Sequence, residues 1–186
     1  IAIGLIKSKK IASSQITLTR RNISKLDDLK NRGFNLTSDN ISAINNSEII
    51  IFAVEPQHLL SLLSDLKDNF SSNHTIISVV SGISISEIST SITSKIPVVR
   101  AMPNTAISIQ ESMTCLSSNN KEALENAQNI FNTVGKTLII DEEQMVPATA
   151  LCACGIAFFL RAIRSASQGG IEIGFHSDAA YIIASQ

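Results

Sequence analysis

Residues 97–106 read P-V-V-R-A-M-P-N-T-A. Two β-branched valines run into an arginine and a methionine, and Pro-Asn-Thr follows directly. This pattern predicts a short buried strand over residues 96–99 that stops at a loop rich in hydrogen-bonding groups. Ligands of open α/β sheets bind just beyond the carboxyl ends of the strands. The stretch therefore predicts a binding loop, with a plain Pro-Asn turn as the alternative.

Strand-like and helix-like segments alternate on both sides of this stretch. Residues 48–54 (E-I-I-I-F-A-V) form a continuous apolar run stopped by Pro56, which is typical of a parallel strand buried on both faces. Leucines at helical spacing predict an amphipathic helix over residues 57–70. Further strands are expected at residues 15–19, 75–80, 113–116 and 137–140, and a helix at about 121–134. Such alternation predicts a doubly wound, mostly parallel sheet.

The pattern changes from Glu142 onward, where no strand candidate follows and small residues accompany the apolar ones. Helices are expected over residues 145–167 and 177–185. We therefore predict a domain boundary near residue 141. Residues 1–141 would form an α/β domain, and residues 142–186 would begin an all-helical domain.

Composition narrows the range of partners. The chain has 15 Lys+Arg against 16 Asp+Glu, and such a balance does not supply the basic surface that nucleic acids require. Its 3 cysteines form no C-x-x-C pair, so we expect reduced thiols, a cytoplasmic protein and no metal site. Residues 145–160 carry no charge but fall short of the roughly 20 residues of a membrane span. We expect this segment to pack against another subunit and not in a membrane.

Four motifs resemble those of the pyrroline-5-carboxylate reductase family. Residues 100–105 are similar to its R-x-M-P-N-T signature, and residues 53–57 (A-V-E-P-Q) to its A-V-K-P-Q cofactor loop. Residues 80–83 (V-S-G-I) stand where the family has A-A-G-I. Residues 150–158 (A-L-C-A-C-G-I-A-F) resemble A-L-S-G-S-G-P-A-Y, with two cysteines replacing serines and an isoleucine replacing a proline. Order and spacing hold over essentially the whole chain.

The resemblance implies a Rossmann-like dinucleotide-binding domain with a mostly parallel sheet, followed by an all-helical dimerisation domain. It implies reduction of 1-pyrroline-5-carboxylate to L-proline by NAD(P)H, the last step of proline biosynthesis. The expected partners are this cyclic imine and further copies of the chain, in a homodimer or a larger homo-oligomer. No catalytic side chain is assigned, because the nicotinamide carries the chemistry.

The resemblance also implies that the chain is truncated at both ends. A G-x-G-x-x-G turn normally opens such folds, but Gly4 is not followed by a glycine-rich loop. We interpret residues 1–7 as the tail of the first helix, with a strand as the alternative. After Gln186 we expect the family's Asp-x-Val-x-Ser-Pro-Gly-Gly-Thr segment, which is absent here.

The residues after the strand at 15–19 indicate which cofactor is bound. Arg20, Arg21 and Asn22 lie where such folds contact the adenosine ribose. Arginine suits a 2′-phosphate, and no carboxylate occurs before Asp27. We therefore expect NADP, with NAD as the alternative; a solvated basic pair is the competing interpretation.

The resemblance places further residues around the cofactor. They are Asn40, the loop residues Ala53, Val54, Glu55 and Pro56, the turn residues Ser81 and Gly82, and Asn104 with Thr105. Glu55 replaces the lysine usual in the family. The structural alternatives are a helix N-cap at Asn40 and a simple turn at Asn104 and Thr105.

Glu142 matches the glutamate that opens the family's helical domain and is the expected substrate-binding residue. A role in favouring the helix start through the helix dipole is the alternative. Cysteine nucleophilic catalysis is not expected, because no histidine lies in a motif beside Cys152 or Cys154.

Two other functions stay open. A reductase of the hydroxyacid dehydrogenase-like superfamily would need a catalytic lysine in the helical domain, and residues 142–186 contain no lysine. A degenerate, non-catalytic dimerisation protein is favoured by Glu55, Cys152 and Ile156, the three departures from the family motifs.

Overall fold

The computed structural model describes residues 1–92 and 95–186. The described strands are β1 (Thr17–Thr19), β2 (Asn35–Thr37), β3 (Ile49–Phe52), β4 (Thr75–Ser78), β5 (Val98–Met102), β6 (Ser112–Ser118) and β7 (Gly135–Ile139). The helices are α1 (Ala2–Lys7), α2 (Asp27–Lys30), α3 (Asn40–Asn45), α4 (Pro56–Leu66), α5 (Ile85–Thr90), α6 (Lys121–Phe131), α7 (Met145–Ala148), α8 (Gly155–Glu172) and α9 (Ser177–Ser185). The first residues are thus helical, as the helix-tail interpretation predicts.

The strands form two sheets. β1 and β2 pair in parallel as a small sheet of their own, and the larger sheet has the order β3-β4-β5-β6-β7. All ladders of the larger sheet are parallel except β5–β6, which is antiparallel. The predicted α/β architecture, Rossmann-like with a mostly parallel sheet and a helical C-terminal part, is confirmed.

Two strand predictions are wrong in detail. β3 is not buried on both faces: Ile49 is 37% exposed, because within the described residues β3 pairs only with β4 and so lies at an edge. β5 does not stop at Val99 but continues to Met102 and includes Arg100. A charged residue fits inside this strand because a partner neutralises it, as described below.

Helices cover both faces of the larger sheet. On β4, Ile76 packs into one cluster with Leu59 and Leu63 of α4, while its neighbour Ile77 packs into the other with Phe131 of α6. Successive side chains of a strand point to opposite faces, so one strand supplies both clusters. These five side chains are fully buried, and each such burial stabilises the fold by about 1.5–3 kcal/mol.

The C-terminal part is helical from Glu142 to Glu172 over 31 residues, with a π-helical turn at Thr149–Ala153 between α7 and α8. α9 folds back on α8 where small residues meet: a Cβ on Gly170 would lie 3.1 Å from the Cβ of Ala180. The large apolar residues exposed here are Val146, Leu151, Phe158, Phe159, Leu160, Ile171, Ile173, Phe175, Tyr181, Ile182 and Ile183.

By length and composition alone, the helix over Glu142–Glu172 could cross a membrane. The sequence argument that the segment is too short is therefore wrong. It counted only the uncharged residues, whereas the helix continues past Arg161 and Arg164. Only 6% of its most apolar window is buried within the chain, so the apolar surface of this helix lacks cover from the described residues.

Candidate active site

The loops that follow β3, β4 and β5 meet at one edge of the larger sheet. These three strands are parallel, so their carboxyl ends lie side by side. The predicted cofactor residues Ala53–Pro56, Ser81–Gly82 and Asn104–Thr105 follow these ends directly. The fold therefore brings together eight residues that are separate in sequence, at the edge where α/β sheets bind ligands.

The β3–α4 loop is largely exposed: Ala53, Glu55 and Pro56 face solvent, and Val54 is partly buried. Pro56 is the first residue of α4 and fits there because its ring fixes a helical φ. Glu55 is exposed and makes no side-chain capping bond to the helix. Its Oε2 instead accepts a 2.8 Å hydrogen bond from Nε2 of Gln57. The N–H groups of the first turn of α4 are thus free of a side-chain cap from Glu55.

The turn after β4 is exposed and depends on glycine. Gly82 has a φ of +79°, and nothing lies within 4 Å of where its Cβ would be, so the turn leaves open space for a ligand. Ser84 and Glu87 then begin α5 with a reciprocal capping box. Hydrogen bonds from Ser84 hold the pKa of Glu87 below its usual range.

Asn104 shapes its own loop. Its Oδ1 accepts from the N–H of Ala106 at 3.1 Å, and its own N–H donates to Oγ of Ser112 at 3.2 Å. The turn that we considered as the alternative role is therefore present, and Asn104 begins a 3₁₀ helix over Thr105–Ile109. Asn104 also lines an open groove, so the two roles are compatible.

Glu142 reaches this edge from the helical part. Its Oε1 accepts a 2.6 Å hydrogen bond from the N–H of Ile85, at the start of α5, and lies 3.2 Å from NH1 of Arg100 on β5. The side chain of Arg100 is 6% exposed and that of Glu142 is 28% exposed. The first helical residues are thereby tied to both β5 and the end of the β4–α5 turn.

The groove beside Asn104 is mostly apolar and has a volume of about 530 Å³. Cys115 of β6 and Cys152 of the π-helical turn both line it. The thiol of Cys152 donates to the carbonyl oxygen of Met113 at 3.0 Å. Burial, and then the neighbouring Cys115, raise the pKa of Cys152 to about 11. This thiol stays protonated at neutral pH and acts as a donor, not as a nucleophile.

The predicted ribose-contacting residues lie on the small sheet. Arg20 and Arg21 follow β1, are exposed and form no salt bridge with the described side chains. Asn22 accepts from the N–H of Ser24 at 3.1 Å and so caps a short 3₁₀ helix. The two arginines therefore have free guanidinium groups beyond the end of a parallel strand.

Asn40 is the first residue of α3, not its N-cap. The cap is Asp39, whose Oδ1 accepts from the N–H of Ser42 at 3.0 Å. The alternative that Asn40 itself caps the helix is therefore wrong. Asp39 takes this role because its backbone is extended while that of Asn40 is already helical.

Sequence reasoning assigned no role to Arg100 or to the N–H of Ile85. A signal for Arg100 was available, since a charged residue within an apolar strand needs an oppositely charged partner when buried. The contribution of Ile85 comes from its backbone, which carries no signature in the side-chain pattern. Within the described part of the chain, no three His, Cys, Asp or Glu side chains group as a metal site requires.

Two family models match the two parts of the chain. Residues 1–82 match the family described as NADP oxidoreductase coenzyme F420-dependent. Residues 142–186 match the family described as pyrroline-5-carboxylate reductase dimerisation. The sheet with its exposed strand-end loops and the helices that follow thus define a two-domain dinucleotide-binding protein.

Similar proteins narrow this class. The whole chain is 50% identical to pyrroline-5-carboxylate reductase 1 of Dictyostelium discoideum, of which it spans 36%. It is 44% identical to pyrroline-5-carboxylate reductase 2 of the same organism, of which it spans 68%. The chain belongs to the pyrroline-5-carboxylate reductase family, and the resemblance drawn from the four motifs is confirmed.

Solved structures agree with this assignment. The whole chain superposes on 69% of the Plasmodium falciparum pyrroline carboxylate reductase, crystallised with NADP bound, with a TM-score of 0.90 and 26% identity. It covers 70% of a pyrroline-5-carboxylate reductase from Coxiella burnetii with a TM-score of 0.89 and 27% identity.

Proposed function

We propose that the protein reduces 1-pyrroline-5-carboxylate to L-proline by hydride transfer from NADPH, the last step of proline biosynthesis. The observation that carries this proposal is the position of Glu142. A carboxylate from the helical part meets the strand-end edge at Arg100 and Ile85. A cationic iminium bound there would find a counter-charge beside the nicotinamide loop.

We assign residues 1–141 to the dinucleotide-binding domain and residues 142–186 to the first part of the dimerisation and substrate domain. This boundary is supported by the end of β7 at Ile139 and by the family model that matches from residue 142. It separates the strands from a part in which every described element is a helix.

The described residues fit a dinucleotide. Arg20 and Arg21 offer two unpaired guanidinium groups to a 2′-phosphate, which favours NADP over NAD. The exposed residues after β3 and the open space beside Gly82 leave room for the middle of the cofactor. We assign Asn22 and Asn40 to the ribose side, and Asn104 with Thr105 to the nicotinamide pocket. When bound, the nicotinamide supplies the hydride.

The substrate requires little acid–base chemistry from the protein. A protonated cyclic imine is the more electrophilic form, and the Glu142 carboxylate stabilises it beside the nitrogen. The remaining task is orientation, which can lower the barrier by several kcal/mol (about 7–11 at most) when the reacting atoms are well aligned.

We assign the exposed apolar face of α8 and α9 to a second copy of the chain, in the cytoplasm and not in a membrane. This is supported by the family model over residues 142–186, which is described as a dimerisation domain. It is also supported by Arg161 and Arg164 within α8, because each arginine at the centre of a bilayer would be costly.

One rival function is favoured by specific observations, namely a dimerisation protein without activity. Glu55 exposes a negative charge at the loop that would face the phosphates. Cys152 offers only a weak thiol donor, and that thiol already donates to Met113. A binding and turnover measurement on the full-length protein separates the two functions.

The test is titration of the full-length protein with NADPH, followed by an assay of pyrroline-5-carboxylate reduction. We expect saturable binding, turnover, and tighter binding of NADPH than of NADH. Arg20→Ala/Arg21→Ala should narrow this preference by about 1–3 kcal/mol, the value of charge-assisted hydrogen bonds. A protein that dimerises but neither binds NADPH nor reduces the imine would instead favour the dimerisation protein without activity.

A matched control keeps the net charge change but moves it to the opposite edge of the sheet. Lys67 follows the C-terminal end of α4, and Lys121 follows the antiparallel strand β6. Lys67→Ala/Lys121→Ala should leave the NADPH/NADH preference unchanged. An equal loss in both double variants would mean that Arg20 and Arg21 act only through the overall charge.

A further inference from the structure

Arg100 has an unusual environment. Among the described residues it is the one buried Lys, Arg, Asp or Glu, with 5% of its surface exposed. It lies on β5, which is hydrogen-bonded to a strand on each side. Its guanidinium is therefore held on a rigid element and is largely removed from water.

The contact between Arg100 and Glu142 uses only part of each group. NH1 of Arg100 reaches Oε1 of Glu142 at 3.2 Å, and the N–H of Ile85 donates to the same oxygen. Oε2 of Glu142 accepts no hydrogen bond from the described residues. A carboxylate held through one oxygen by two donors presents its other oxygen in a defined direction.

The pair is poorly built for stability alone. Nε of Arg100 is buried without a hydrogen-bond acceptor among the described residues. Buried N–H groups without partners are rare in native proteins, and functional sites are where such costs persist. A bidentate pair would satisfy Arg100 better, but it would occupy Oε2 of Glu142.

We propose that Arg100 is a positioning residue for imine reduction. It holds Glu142 through Oε1 so that Oε2 is directed at the nitrogen of the bound cyclic imine. This inference rests on the proposed function and adds to it the residue that orients the substrate's counter-charge. Arginine suits the task because its planar guanidinium is always charged and conformationally restricted.

The test is a double-mutant cycle in the full-length protein with Arg100→Met, Glu142→Gln and the double variant. We expect each single variant to lower kcat/KM for the imine about tenfold or more, since loss of orientation has effects of this size. The double variant should be no worse than the poorer single variant, because residues that act as a unit are not additive. The NADPH Kd should stay within about twofold of the wild type, since neither residue is among those assigned above to the cofactor.

Two further variants keep the cycle interpretable. Arg100→Lys should retain more activity than Arg100→Met. If Arg100→Met is insoluble, Arg100→Lys replaces it in the double-mutant cycle. Lys121→Met breaks the exposed Lys121–Glu125 pair and should leave the kinetics unchanged.

Losses that multiply in the double variant would overturn the inference. A folded but less stable Arg100→Met variant with normal kcat/KM for the imine would also overturn the inference. Both results leave the proposed function intact if the wild type reduces the imine. A wild type that binds NADPH but reduces no imine would instead refute the proposed function, and this inference with it.

Discussion

Glu142 makes its side-chain hydrogen bonds outside its own helical segment. At the start of that segment the N–H of Asp141 donates to Oε1 of Gln144 at 3.4 Å, and the N–H of Gln144 donates to the backbone carbonyl oxygen of Asp141 at 3.0 Å. The carboxylate of Glu142 is directed away from its own segment, to Ile85 and Arg100. Glu142 also lies in the first turn beside Glu143, where negative charge favours the helix dipole. A stability effect and a kinetic effect of a Glu142 substitution can be measured separately.

Glu142→Gln should lower the free energy of unfolding by about 1–3 kcal/mol, because buried Arg100 loses its counter-charge while the amide oxygen still accepts from Ile85. If the full-length protein reduces the imine as proposed, the same variant should also raise KM for pyrroline-5-carboxylate or lower kcat, with the NADPH Kd nearly intact. Urea unfolding and steady-state kinetics measure the two effects. Glu143→Gln changes an exposed neighbour of Glu142 and should alter neither the free energy of unfolding nor the kinetics. Normal kinetics with lowered stability would make Glu142 purely structural.

The three thiols should differ in reactivity. Cys154 is exposed, Cys115 is buried, and burial raises the pKa of Cys152 to about 11. The thiolate is the reactive form, so at pH 8 only about one Cys152 in a thousand is reactive. Labelling with a chromogenic disulfide should show one fast thiol, which Cys154→Ser removes. A fast phase that survives this substitution would mean that Cys152 is activated instead.

At the scale of elements, local patterns predicted most of the fold, and neighbours decided the rest. The helix α4 was predicted because its leucines repeat at helical spacing. β2 was missed because Asn35–Thr37 is too short and too polar to give a pattern, and it exists through its ladder with β1. The exposure of Ile49 could not be predicted because it depends on which strands flank β3.

The same distinction holds for the candidate site. The loops at the strand ends could be predicted from the sequence, because the parallel sheet that positions them could be predicted. The contact between Glu142 and Arg100 was not, because it spans 42 residues of sequence and depends on how the helical part docks.

Gly135 is the element-scale position most sensitive to substitution. It begins β7 with a φ of +152°, and a Cβ there would collide with the backbone of Ser112 on β6. Gly135→Ala should therefore lower the free energy of unfolding by about 2–4 kcal/mol. Gly174 also has a positive φ, but nothing lies within 4 Å of where its Cβ would be. Gly174→Ala should therefore lower the free energy of unfolding by only about 1–2 kcal/mol. Equal losses in thermal or urea unfolding would show that β6 yields to the extra methyl group.

At the scale of the whole molecule, the two parts differ in how they bury apolar surface. The sheet domain covers its own core on both faces. The helical part leaves Phe158 and Phe159 about 70% exposed, although single-chain proteins rarely expose large contiguous apolar patches. The described residues therefore leave the apolar surface of the second part uncovered, as the dimer proposed above requires.

Phe159→Asp should give monomers or insoluble protein, because a charge would be buried in the interface between two copies. Sedimentation or light scattering at micromolar concentration measures the mass. Ser64→Asp adds the same charge to the exposed face of α4 and should leave the assembly unchanged. A soluble, monomeric wild type at this concentration would contradict the proposed dimer.

The division of the strands into two sheets has a consequence for amide hydrogen exchange. The small sheet has one ladder of three residue pairs, all at least partly exposed, whereas β4 and β5 are hydrogen-bonded on both sides. Local openings occur as cooperative units whose free energies follow burial. Amides of β1 and β2 should therefore exchange through a low-energy opening, while those of β4 and β5 should need global unfolding. If Arg20 and Arg21 bind the 2′-phosphate, NADPH should slow exchange in β1 and β2 more than in the rest of the chain.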